Sequence, residues 1–289
     1  MRSQESFLGL AQKTFPLTVR PYKWEGSYAR WRTDAPHDPG LCADVRGGWL
    51  GADERLILRT CEVLGHPQRL LYDDHFPPTE QSGRGKNYRH VPFTWDSDRS
   101  HQILSADCPI ADFGGFGLQL AANADSIDIH LRIKNSSSEA TGAIDWAFCV
   151  ITLECDSIKD PSHQRTVVFD GRRLRTFGEL KIDGRMTIIP INGGEGFVPL
   201  EHQRFPQSPV AASASFVAVE ASDKTHSIAL GFEQSYNSYG CTGNMCIHAD
   251  PYLGSVAPGR EKLMRGKLYL IEGNANDALN RYRMDFKVG

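Results

Sequence analysis

The chain has 289 residues, of which 40% are hydrophobic and 23% charged, and its net charge is −3. It is long enough to bury a sizeable core, and its composition is ordinary for a globular protein. The two signs of charge are interspersed, so no basic block points to nucleic acid. No apolar run approaches the roughly 18 residues needed to cross a bilayer, so no membrane partner is expected.

The opening residues, MRSQESFLGLAQKTF, hold no long apolar segment and no small-residue cleavage site. As it stands the chain is expected to be cytoplasmic; a leader trimmed ahead of it would make it secreted. Seven cysteines, an odd number, are too few for a disulfide scaffold, and most are expected to be buried thiols.

Gln4–Lys13 reads as a short helix and Phe15–Arg20 as a strand. Residues 22–99 are rich in Trp, Tyr, Pro and Gly and look irregular, with two regular pieces at Arg55–Leu64 and Gln68–Tyr72. Asp73–Arg89 is a polar loop with a Pro77-Pro78 pair, a surface loop in its plainest reading and a mobile flap in the alternative.

From Val91 the signal is β. Ser126–Lys134 alternates, with Ile127, Ile129, Leu131 and Ile133 on one side and Asp128, His130, Arg132 and Lys134 on the other. Ile144–Cys155 is nearly all apolar and suits a central strand covered on both faces. Two hairpins are expected in tandem around Asp170-Gly171 and Asp183-Gly184, because Asp-Gly favours the positive φ angles of a tight turn. Ala214–Ala221 and Ser227–Glu233 form a further pair. Asn276 is expected to cap a terminal helix whose Leu279, Tyr282 and Phe286 share a face.

Roughly a dozen strands after residue 90, with no βαβ alternation and no fixed repeat, define the expected class. It is all-β: a large antiparallel sandwich over residues 91–289, with an irregular region (1–90) packed on it and a short C-terminal helix, in a single domain 1–289.

A strand that alternates and then runs into an Asn (Ile127–Asn135) resembles part of the galactose mutarotase-like β-supersandwich. Cys246–Pro251, followed by Ala257-Pro258-Gly259 and Arg265-Gly266-Lys267, adds to the resemblance, which is architectural and covers about residues 90–272. It implies a sugar-binding protein, since such domains occur in mutarotases, sugar epimerases, polysaccharide lyases and glycoside hydrolases. The Asn-His pair of mutarotases has no counterpart here, and Glu233 matches their late glutamate only loosely.

The stretch Ser235–Gly273 concentrates chemistry, and loops on a rigid sheet are where sites usually sit. In an extended segment residues two apart point the same way, so His248 and Asp250 would share a side. A carboxylate can then tune the imidazole for acid–base work. The catalytic set expected is His248, Asp250, Glu233 and Tyr236. Substrate binding is expected from His130, Arg132, Tyr239, Tyr252 and His202, with Arg132 suited to a uronate carboxylate. The plain alternative for His248 is a loop histidine bonded to backbone carbonyls.

Cys241, Cys246 and His248 also spell C-x4-C-x-H, open to zinc, a local disulfide or free thiols; a structural zinc site needs four ligands. No metal and no cofactor is expected. The function expected is a carbohydrate-active protein that binds or processes an oligosaccharide or sugar acid, as lyase, hydrolase or epimerase. The alternative is a non-catalytic interaction sandwich. A small-molecule or oligosaccharide ligand is the expected partner, and the sequence sets no oligomeric state.

Overall fold

The computed structural model describes residues 15–22, 41–66, 69–73, 93–180, 187–191, 207–243 and 245–288. Expectations on Gln4–Lys13, the Asp73–Arg89 loop, the Asp183-Gly184 turn and His202 lie outside those residues. Within them the chain forms two antiparallel sheets packed face to face, with one helix.

The first sheet gathers β1 (Phe15–Pro21), β2 (Cys42–Gly48), β3 (Leu56–Arg59), β4 (Val63–His66), β5 (Arg69–Asp73), β10 (Ile144–Trp146), β11 (Cys149–Ile151), β14 (Thr187–Pro190), β17 (Ser235–Cys241) and β18 (Cys246–Gly254). Its order is β1-β2-β3-β11-β18-β10-β4-β5, and the β14–β17 pair joins through β17 to β18. The described parts of residues 1–90 are therefore strands of this sheet, not an irregular layer resting on it. Their hydrophobic residues alternate, as a half-buried strand requires: Leu56 and Leu58 point to the central core, Ile57 and Arg59 away from it.

The second sheet runs β13-β12-β15-β16-β19-β9-β8-β7-β6. These strands are β6 (Asp96–Ser97), β7 (Ile103–Ile110), β8 (Gly114–Ala122), β9 (Ser126–Asn135), β12 (Thr166–Phe169), β13 (Leu174–Thr176), β15 (Phe216–Glu220), β16 (His226–Phe232) and β19 (Glu261–Glu272). The alternating strand read from the sequence is β9, and its four aliphatic side chains all enter the core shared with the first sheet. Helix α1 (Ala275–Phe286) packs Leu279 and Tyr282 against the far side of β15, β16 and β19, with Phe286 at the margin.

Several local expectations are corrected. The helix is capped by Asn274, two residues earlier than Asn276, because Asn274 and Asp277 exchange side-chain-to-backbone bonds in a capping box. The hairpin across Asp170-Gly171, by contrast, forms in the expected register, and the Asp170 carboxylate accepts the N–H groups of Arg172 and Arg173. β14 pairs with β17 of the first sheet.

The apolar run Ile144–Cys155 is two short strands, broken at Ala147-Phe148. Beside it β3 and β4 are broken at the same level, at Thr60-Cys61-Glu62. The breaks are stitched together: Glu62 N–H donates to Ala147 O at 3.0 Å, Ala147 N–H to Val63 O at 2.8 Å, and the Trp146 indole to Thr60 O at 2.6 Å.

The two sheets also depend on close approaches at glycine. Gly266 on β19 faces Phe232 on β16, and the buried Phe232 ring occupies the space a β-carbon would need. Phe232 in turn meets Phe148 edge-on across the sandwich, at 5.5 Å between ring centroids. Gly266→Ala is expected to lower stability by about 1–3 kcal/mol, the usual result of overpacking a filled core, read from the urea midpoint.

Candidate functional site

The central strand β18 alternates like the others. Ile247, Ala249 and Leu253 enter the core, so Cys246, His248 and Asp250 stand on the opposite face. Cross-strand pairing sets their neighbours. Cys241, Tyr239 and Asn237 on β17 lie opposite Cys246, His248 and Asp250, while Cys149 on β11 pairs with His248. Arg59 of β3, Glu62 at the break and Asp145 of β10 complete this face.

It is a buried polar face. His248 is 1% exposed and Asp250 0%. The His248 ring stacks on Tyr239 with centroids 3.6 Å apart, its Nδ1 lies 3.3 Å from Asp250 Oδ1, and its Nε2 lies 3.8 Å from Glu62 Oε2. The other Glu62 oxygen is ion-paired with Arg59. Asp250 Oδ1 also accepts the N–H of Phe148 at 3.0 Å, and Tyr236 lies beside its carboxyl. That places the carboxyl in the gap between β10 and β11, where a backbone donor would otherwise be orphaned.

Burial controls the charge state here. It drives the Asp250 carboxyl well above the usual carboxylate range, and the neighbouring Glu62 and Asp145 push it the same way. Asp145 is pushed up to about 9 by burial alone. Its Oδ1 has no hydrogen-bond partner among the described residues, nor do the oxygen and nitrogen of the Asn237 amide, although both residues are buried. Burial raises the Cys149 thiol to about 12.

Of the residues singled out in the sequence, His248, Asp250, Tyr236 and Tyr239 are brought together, and Tyr252 pairs with Asp145 at the margin. Glu233 is not among them: it is exposed beyond β16, where it holds the Arg265 guanidinium at 2.7 Å and the Arg265 N–H at 3.1 Å. His130 and Arg132 are on the outer face of the second sheet, across the core from His248. Alternation sends both His248 and Arg132 away from the shared core, so they emerge on opposite sides of the sandwich. The expected convergence of His248 with His130 or Arg132 does not occur.

Around His130 and Arg132 the second sheet forms an open groove of about 760 Å³, with Gln119, Phe93 and the exposed Leu263 in its lining. Arg132 is held there by Asp107 and, at 3.3 Å, by Glu261.

Arg59, Glu62, Asp145, Cys149 and Asn237 escaped sequence reasoning. One signal was present: Asp145 is the lone carboxylate in an otherwise apolar run, AIDWAFCVI. A charge in such a position needs a partner or a proton.

No family model matches the chain, and no curated protein matches it in sequence. Solved structures similar to the chain were found. The Slr1438 protein of Synechocystis is 12% identical, with 81% of each chain covered and a TM-score of 0.41. The galactose mutarotase related enzyme of Lactobacillus acidophilus is 8% identical over 80% of this chain and 91% of its own, at 0.43. A galactose mutarotase-like protein of Lactobacillus casei is 12% identical over 75% and 84%, at 0.38. Galactose mutarotase-like proteins are thus among the solved structures similar to this chain. Among the described residues no helix is long and apolar enough to cross a membrane.

Asp145 yields a test of this electrostatic picture. Its folded pKa, about 9, is raised above the unfolded value of about 3.9, so the native state binds the proton more tightly. The stability it contributes is fully present below about pH 4 and is lost as pH rises through about 9. Asp250 acts with the same sign. Asp145→Asn is expected to flatten the fall in stability between those limits and to be more stable than wild type at pH 8, with little difference at pH 4. Urea unfolding at the two pH values measures this.

Proposed function

We propose that the chain is a carbohydrate-active protein whose sugar site is the polar face of the first sheet around Asn237, Asp145 and Asp250. The observation that carries this reading is the pair of buried, unpartnered polar groups. Asn237 offers a donor and an acceptor, and Asp145 a carboxyl oxygen, with no partner among the described residues. Buried polar groups left unpaired cost about 1–3 kcal/mol each, so their retention on one face, flanking β18, calls for a ligand rich in hydroxyls. Amide and carboxyl groups beside aromatic rings are the chemistry that a sugar ring meets best.

The proton-bearing group is Asp145. A carboxylic acid that stays neutral at pH 7 can donate to a glycosidic or ring oxygen, as a general acid must. His248 is a positioning residue in this reading: both its nitrogens already face carboxyl groups and Tyr239 covers its ring. Arg59, beside the candidate site, is engaged by Glu62, and farther out Arg46 and Arg55 are held by Asp44 and Glu154. That favours a neutral sugar over a sugar acid.

Two measurements test the reading. A panel of neutral mono- and oligosaccharides, screened by calorimetry and for product release, should contain at least one ligand; silence across neutral and acidic sugars would overturn the proposal. For that ligand Asn237→Ala is expected to weaken binding about tenfold, the worth of one or two hydrogen bonds. Asp145→Asn should bind within about threefold of wild type and lose turnover, because the amide keeps the shape but has no acidic proton.

A further inference from the structure

Beside the proposed sugar groups, two neighbouring strands bring soft and borderline metal ligands to one point. Cys149 comes from β11, and Cys246 and His248 from β18; one ligating atom from each lies within 4.8 Å of the others, and all three residues are buried. We propose that Cys149, Cys246 and His248 ligate a divalent cation of the zinc class, with Glu62 as the fourth ligand. Two thiolates, an imidazole and a carboxylate are a donor set that zinc accepts, and magnesium or calcium does not.

The arrangement around the imidazole supports this. Asp250 Oδ1 accepts the Phe148 N–H and lies 3.3 Å from Nδ1, so with a metal on Nε2 the Nδ1 hydrogen would point to that oxygen. Nε2 is then the nitrogen that would ligate, and it faces Glu62 Oε2 at 3.8 Å. A carboxyl group that orients a histidine through its second nitrogen is the usual outer partner of a metal-bound imidazole. Cys149 contacts Glu62 as well as Cys246, which closes the ring of four. Arg59, paired with the remaining Glu62 oxygen, offsets the negative charge that two thiolates and a carboxylate would accumulate.

Metal distances of about 2.3 Å to sulfur and 2.0 Å to nitrogen draw tetrahedral ligands to roughly 3.5–3.8 Å from one another. With their ligating atoms already within 4.8 Å of one another, the three side chains need to close by about an ångström at most. Cys241 touches Cys246 from the hairpin side but is not part of the trio.

The experiment uses the full chain after removal of metal with a chelator. Cobalt(II) titration is expected to saturate at one ion per chain, with the visible bands of a tetrahedral ion and thiolate charge transfer of an intensity that counts two sulfurs. Zinc should displace it, and competition with a chromophoric chelator gives its affinity. Cys149→Ser and Cys246→Ser should each remove one thiolate's intensity, and Cys241→Ser should leave the spectrum intact. Asp250→Asn is expected to weaken zinc about 10–100-fold, as loss of an orienting carboxyl does. Circular dichroism checks that each variant folds; should a cysteine variant fail to fold, the thiolate count in wild type decides. Overturning results are no stoichiometric binding, a spectrum without thiolate bands, or bands that survive in Cys149→Ser and vanish in Cys241→Ser. The site uses neither Asp145 nor Asn237, so Asp145→Asn should keep full stoichiometry even if no sugar binds.

Discussion

The Asp250 carboxyl is the interaction on which the middle of the first sheet depends. A continuous β10–β11 strand would satisfy the Phe148 N–H by pairing with a neighbour; the break at Ala147-Phe148 removes that possibility. Asp250 supplies the acceptor from the adjacent strand and, through the same oxygen, holds His248. One buried side chain thus closes a defect in the ladder and orients the imidazole. A buried backbone donor without an acceptor would otherwise cost about 1–3 kcal/mol. The break exists at a functional price the fold tolerates, because it lets Glu62 turn in from the neighbouring strand pair toward His248.

Alternation then decides what can meet what. In each sheet the aliphatic positions enter the shared core and the intervening positions leave it. A two-sheet sandwich therefore has two separate outer faces, and a polar residue belongs to one or the other according to its strand and its parity. His248 and Arg132 have the outward parity on different sheets, so no loop rearrangement within the described residues unites them. The faces also differ in kind. That of the second sheet is open, with Arg132 in exposed ion pairs that water screens, whereas that of the first is buried, where unpaired groups carry real cost.

Much of the fold was legible because period two is a local property. Ile127–Ile133 declare the parity of β9, and Ser227–Glu233 that of β16, whatever the rest of the chain does. The capping residue was displaced by two positions because Asn274 and Asn276 are both competent caps; only the reciprocal bond with Asp277 selects the first. The site was half legible. His248, Asp250 and Tyr239 lie close in sequence, and extended geometry puts them on one face. Glu62, Asp145 and Cys149 reach the same face from about a hundred residues away or more, and strand order is not written in any local pattern. Arg132 misled for the same reason: its parity was read correctly, and its sheet was not readable at all.

The cluster poses an electrostatic question that its own geometry answers. Glu62, Asp145 and Asp250 are three carboxyls close enough to influence one another in a site almost without water. They cannot all be ionised, since like charges in a poorly solvated setting repel strongly and each loses its hydration. The neighbours assign the charge. Arg59 lies on Glu62, so that carboxylate has a countercharge. Asp145 has none and keeps its proton, and Asp250 is driven the same way by burial and by both other acids. The result is a fixed division of labour within one buried group: an ionised carboxylate on one side of His248 and proton-carrying acids on the other. An arrangement of that kind costs folding free energy, and a hydroxyl-rich or cationic ligand that satisfies it would return part of that cost on binding.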